Sequence, residues 1–265
     1  MFKMILLRIS RIFFAAIFVL GMIPVADSQE WKEYRTQHFL IYYKDTPQDF
    51  IRTVEDAAER YYDEILDRLG FSRETIWTLK DRTRIYIYSD QEDYVNSTGQ
   101  AGWSHGAADV RNRIIKTFPS SNGFFDTLLP HELGHIIFRE YIGYNLFIPL
   151  WFEEGIAMFQ EKAKRWGANK SVHGAIKNGK FIPLTDLSRR GPTKTSDDEY
   201  VNLYYTEAAS LVYYMIVEFG KYRFNDLCRK LKNGDPFEDA VLKTYRRFQS
   251  MEELNEAWME YVKEH

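Results

Sequence analysis

The chain has 265 residues, 45% of them hydrophobic, and a formal net charge of −3 at pH 7. That length buries a sizeable core in one domain or two closely packed subdomains, and the mildly acidic balance excludes a charge-driven attraction to nucleic acid or to an anionic membrane surface. Cys228 is the single cysteine, so no intramolecular disulfide can form and stability has to come from the core and from any bound metal.

Met1 to Arg11 carries Lys3, Arg8 and Arg11, and an apolar run from Ile12 to Val25 leads into Ala26-Asp27-Ser28. This is the pattern of a secretory signal, with small residues at the two positions a signal peptidase reads. The run is shorter than the roughly 20 apolar residues of a spanning helix. A cleaved signal over residues 1–28 and a periplasmic or extracellular location are therefore expected, with an uncleaved membrane anchor as the alternative.

His38 to Tyr43 is β-prone and predicts an early strand. From Phe50 to Leu69 the apolar residues Ile51, Val54, Ala57, Ala58, Tyr61, Ile65 and Leu69 keep helical spacing, with Gly70 as the stop. Thr83 to Tyr88 alternates polar and apolar and predicts a second strand; Gln91 to Asn96 predicts a short helix; Arg113 to Phe118 predicts another strand. Before that last strand the Gly-rich stretch Ala101 to Ala108 carries His105, read as a loop histidine or as a cleft residue that touches substrate.

Pro130-His131-Glu132-Leu133-Gly134-His135 is the stretch on which the chemistry turns. On a helix, residues four apart stack on one face with Cβ atoms about 5–6 Å apart. That spacing lets the imidazoles of His131 and His135 close on one metal ion, Zn²⁺ by ligand type. Glu132, one step round the helix, can reach a metal-bound water without being a ligand. Phe124, Phe125, Leu128, Leu129, Ile136, Ile137 and Phe138 surround the motif, and a polar triplet in so apolar a segment costs free energy unless its groups are satisfied. Pro130 lacks an N–H, so the helix either begins there with proline in its first turn or is kinked. It is expected to end near Glu140, before Gly143. Two histidines leave a catalytic zinc site one protein ligand short.

Trp151 to about Lys164 predicts a second helix, with Phe152, Ile156, Phe159 and Ala163 as its apolar stripe and Glu154 and Glu161 on another face. Glu161 reads as a solvated position, or else as a support for the metal ligands. Gly167 to Tyr200, rich in Gly, Lys, Ser, Asp and Thr, reads as a long connection that rims a cleft or simply crosses the surface, anchored only at Phe181 to Leu184 and with His173 exposed. Val201 to Phe219 is strongly helical, and Phe224–Lys232, Pro236–Tyr245 and Met251–Lys263 predict three further helices.

H-E-x-x-H, eighteen intervening residues and then Glu154 inside Trp151-Phe152-Glu153-Glu154-Gly155-Ile156-Ala157 resemble the gluzincin metallopeptidases, which include thermolysin-like and aminopeptidase N-like enzymes and the smaller peptidase MA-like proteins. Tyr205 to Val212 is similar to the helix that follows the metal motifs in the peptidase MA-like group. The resemblance spans roughly Ala101 to Gly220. It implies an α+β, zincin-like fold: a small N-terminal sheet with covering helices and the metal helix over residues 29–147, and a mostly helical C-terminal subdomain over 148–265. It implies Zn²⁺ held by His131, His135 and Glu154, with Glu153 the fallback third ligand and Glu132 the general base. It also implies an oxyanion donor from the helical half; Tyr204 and Tyr205 are candidates, and the register favours Tyr205. In this family the strand before the metal helix pairs with the substrate backbone, which points to Arg113–Phe118 or the segment just before it. The G-x-M-E-N motif of the aminopeptidases is absent, which favours cleavage inside chains. The expected function is an exported zinc endopeptidase acting on a peptide or protein substrate. The alternative is a non-catalytic zinc-containing binding or assembly protein on the same scaffold.

Overall fold

The computed structural model describes residues 30–72, 81–101, 104–119, 121, 123–193 and 195–265. Residues 1–28, on which the signal expectation falls, and Gly102-Trp103 lie outside the described residues, among which no helix is long and apolar enough to cross a membrane.

β1 (Lys32–Arg35) and β2 (Phe39–Tyr43) form an antiparallel pair. α1 (Gln48–Leu69) then carries the chain back so that β3 (Thr83–Ile87) lies parallel to β2. α2 (Gln91–Thr98) precedes β4 (Ala107–Asp109) and β5 (Ile114–Thr117), giving a five-stranded sheet in the order β1-β2-β3-β5-β4. Strand alternation decides the faces. Phe39, Ile41, Thr83, Ile85, Ile87, Ile115 and Thr117 share one face and are each fully buried. Tyr42 and Tyr86 stack on the other at 4.9 Å. α1 ends at Gly70 with φ +71, where a Cβ would stand 2.7 Å from the Lys221 carbonyl. Glycine there satisfies both the left-handed cap and the close approach of the C-terminal helices.

The strand predicted over Arg113 to Phe118 is β5, but it is paired on both sides, to β3 and to β4. The edge on this side of the sheet belongs to β4, in the segment just before it, and the opposite edge to β1. This short strand was not legible because three residues with two alanines carry no alternation.

Residues 124–128 form one wide helical turn, with the Leu128 N–H donating to the Gly123 carbonyl at 3.0 Å. α3 (Leu129–Ile142) follows directly, with Pro130 in its first turn, so the wide turn of residues 124–128 stands where the proline was expected to start or kink the helix. α4 (Leu150–Gln160) runs against α3, and Glu161 breaks the next turn with extended backbone (φ −72, ψ 121) before α5 (Lys162–Lys177) begins. The second helix predicted through Lys164 is thus two helices, and Ala163 is exposed beyond the break. The long connection predicted over Gly167 to Tyr200 is corrected too. Much of it is α5 and α6 (Leu184–Arg189), although His173 is exposed as expected. Ala168, Val172 and Ala175, at helical spacing, form the buried stripe of α5; Gly167 and Gly174 masked it in the sequence. α7 (Asp198–Val217), α8 (Lys221–Lys232), α9 (Phe237–Thr244) and α10 (Met251–Glu264) complete the helical part.

Two glycines set how close the central helices come. A Cβ on Gly134 of α3 would meet the Ala157 Cα at 3.0 Å, and one on Gly155 of α4 would meet the Ala208 carbonyl oxygen of α7 at 2.4 Å. Backbones can approach this closely only where side chains are absent or small.

Glu207 of α7 is fully buried, and its two carboxyl oxygens face the Ile182 N–H at 3.1 and 3.2 Å. Burial pushes its pKa from an ordinary 4.5 up to about 8. Between those values the folded protein keeps a proton that the unfolded chain has released. Stability therefore falls as pH rises across that window, by at most about 1.4 kcal/mol per unit. Glu207→Gln is expected to flatten the dependence of Tm on pH between 5 and 8 and to raise Tm at pH 8. An unchanged slope in a thermal series would remove Glu207 as its source.

Candidate metal centre

The first turns of α3 present His131 and His135 on one face, and α4 brings Glu154 up to them. The Nε2 atoms of the two histidines are 3.2 Å apart, and Glu154 Oε2 is 3.7 Å from His131 Nε2 and 3.6 Å from His135 Nε2. An ion with tetrahedral ligands at 2.0–2.1 Å holds its donor atoms roughly 3.3–3.4 Å apart. Three donors at these separations, two imidazoles and a carboxylate, fit Zn²⁺. Among the described residues this is the one group of His, Cys, Asp and Glu side chains with such geometry, its ligand atoms all within 4.8 Å of one another.

The surroundings hold the histidines in place. His131 Nδ1 lies 2.9 Å from Glu161 Oε1, so a proton on Nδ1 is donated to the carboxylate and Nε2 turns its lone pair to the centre. Burial would lower the His131 pKa, but the Glu161 hydrogen bond and the charges of Glu132, Glu161 and Glu154 raise it. Glu161 is buried, 6% exposed, and not the solvated position predicted. The prediction assumed one continuous helix; the break at Glu161 swings the side chain inward. Glu161→Gln weakens the acceptor without changing its shape and is expected to cost about 10–100-fold in zinc affinity. Competition against a chromophoric chelator reads this directly, and an unaltered affinity would make the contact incidental.

Glu153, the fallback third ligand, is turned away. Arg139 grips its carboxylate with two hydrogen bonds, Nε to Oε1 at 2.7 Å and Nη2 to Oε2, and donates a third from Nη1 to the Leu146 carbonyl. Glu153 Oε1 stands 3.8 Å from His135 Nδ1, on the side of that ring away from the three-donor cluster. For Glu154, burial raises the pKa, yet the His135 hydrogen bond and the two imidazoles lower it. Burial also pushes the Glu132 carboxyl up, with the two histidines opposing it.

The two tyrosine candidates separate clearly. Tyr204 is fully buried and its hydroxyl donates to the Leu187 carbonyl at 3.2 Å. Tyr205 is only partly buried and lines, with His131 and Glu154, a cavity of about 430 Å³. Burial and the Glu154 charge raise its phenol pKa. His105 is exposed and its imidazole does not face this cavity; its carbonyl instead accepts from Thr117 Oγ1 at 3.2 Å.

The family model of the Peptidase MA superfamily matches residues 68–264. No curated protein matches the chain. Among solved structures, the chain is similar to native yeast LTA4 hydrolase at 14% identity and a TM-score of 0.48, covering 87% of this chain and 39% of that one. It is similar to yeast LTA4 hydrolase in complex with Bestatin at 13% identity, with the same TM-score and coverage. The chain thus spans about two fifths of the length of those proteins.

Proposed function

The chain belongs to the Peptidase MA superfamily, and from that premise we propose that it is an exported zinc metallopeptidase that hydrolyses internal peptide bonds. The observation that carries this reading is the convergence of His131, His135 and Glu154 within ligand distance of one another beside an open cavity. Zn²⁺ bound by these three side chains would supply a Lewis acid and an acidified water. Glu132, beside His131 on α3, takes the proton of the attacking water at its carboxylate and returns it to the leaving amine. Its place in the helix, one step from His131 and outside the three-donor cluster, supports this role. Tyr205 donates its hydroxyl to the oxyanion that develops on the substrate carbonyl. Among the described residues that hydroxyl has no other hydrogen-bond partner, unlike the hydroxyl of Tyr204. The free edge of β4 is the strand against which an extended substrate would pair. Export rests on the signal pattern of residues 1–28, and cleavage inside chains on the missing amino-end capture motif.

The test is incubation of the zinc-loaded protein with a diverse peptide mixture, read by mass spectrometry beside a chelated sample. New termini within chains, lost on chelation, are the expected result. No cleavage by a sample confirmed to hold zinc would instead assign the scaffold to binding. Tyr205→Phe is expected to lower kcat about 100-fold with zinc content intact; an unchanged kcat would exclude Tyr205 from the reaction.

A further inference from the structure

We propose that Lys164 selects the substrate by receiving a carboxylate that the peptide carries close to the scissile bond. The proposal rests on the peptidase reading above and names its substrate class. Lys164 lines the same cavity as His131 and Glu154. At about 430 Å³ this cavity admits a whole amino-acid residue next to the reacting carbonyl. Met158 and Val201 form apolar wall that suits the methylene stem of an acidic residue, and Asn202 adds an amide. Lys164 is partly buried, and among the described residues its ammonium has no ion pair or hydrogen bond.

Two features argue that this cation is not there for the fold. It sits in the first turn of α5, where the positive end of the helix dipole disfavours a cation. Asp198 lines the same cavity but forms no ion pair with it. Asp198 lies in the first turn of α7, where the helix N-terminus already favours a carboxylate. Asp198 is solvent-exposed while Lys164 is partly buried, so an arriving carboxylate would meet an ammonium that has no carboxylate partner at the cavity wall. Such a carboxylate has two sources, an Asp or Glu side chain or the C-terminus of the peptide.

The experiment uses the full-length zinc-loaded protein and octapeptide libraries that differ only in Glu, Gln or Lys at each position, each made as the free acid and as the C-terminal amide. Wild type is expected to prefer a carboxylate by about tenfold or more in kcat/KM. A Glu-over-Gln preference identifies the side chain as the source, and an acid-over-amide preference the C-terminus. Lys164→Met should erase the preference, Lys164→Arg should keep it, and Lys164→Glu should turn it toward Lys. The same libraries are also titrated against the Glu132→Gln protein, which reads the preference as Kd without turnover. Cleavage by wild type with no carboxylate preference in rate or Kd overturns the role of Lys164 and leaves the peptidase reading standing. A Kd preference that vanishes in Lys164→Met, without cleavage of any peptide, upholds the role of Lys164 in binding and overturns the peptidase.

Discussion

Glu132→Gln is expected to lower peptide hydrolysis by about 10²–10⁴-fold while zinc content stays at the wild-type level. The substitution keeps the shape of the side chain and removes the group that can accept a proton. The three side chains whose ligand atoms converge are His131, His135 and Glu154, and Glu132 contributes no atom to that cluster. Loss of the Glu132 charge does alter the field at both imidazoles, since it raises the His131 pKa now. The Glu161 hydrogen bond to His131 Nδ1 remains, so the ligand geometry should survive. Metal analysis beside kcat on one cleaved peptide separates the effects. Wild-type kcat would remove Glu132 from proton transfer, and zinc lost in step with activity would make its role that of a ligand or of its support.

Gly155→Ala is expected to destabilise the protein by roughly 3 kcal/mol and to weaken zinc binding together with it. The added Cβ would stand 2.4 Å from the Ala208 carbonyl oxygen and 2.6 Å from Val212 Cγ2. A backbone oxygen on a buried helix cannot rotate away, so α4 and α7 must separate. Glu154 is the adjacent residue of α4, and any shift there moves its carboxylate from the two histidines. Two other glycines calibrate the argument. Gly134→Ala brings a Cβ to 3.0 Å of Ala157 Cα and should cost less. Gly174 in α5 has nothing within 4 Å of an added Cβ, and alanine there should stabilise by about 0.5–1 kcal/mol. Urea unfolding of the three variants, with zinc affinity measured on each, checks the order. If Gly155→Ala proved as benign as Gly174→Ala, close α4–α7 contact could not be what fixes Glu154.

By itself the sequence determined the local elements and the identity of the reactive groups. β-prone composition at His38 to Tyr43 and alternation at Thr83 to Tyr88 marked β2 and β3, helical spacing of apolar residues marked α1, the H-E-x-x-H motif marked α3, and Gly70 and Gly143 marked helix ends, because these are consequences of near neighbours in the chain. The H-E-x-x-H spacing likewise put His131 and His135 on one face, since four residues is about one helical turn. Weakly patterned segments were not legible: β4 is too short to alternate, and the glycines of α5 obscured its buried stripe. What depends on contacts between distant segments was decided by tertiary structure alone. The order of strands made β4, and not β5, an edge strand next to the metal helix segment of the chain. The break after Gln160 turned Glu161 from an expected surface residue into the partner of His131. Arg139 drew Glu153 aside and left Glu154 facing the two imidazoles. The Leu187 carbonyl engaged Tyr204 and left Tyr205 on the cavity. A single sequence cannot tell which of two adjacent carboxylates or phenols faces a site, because that is set by helix rotation and by partners far away in the chain.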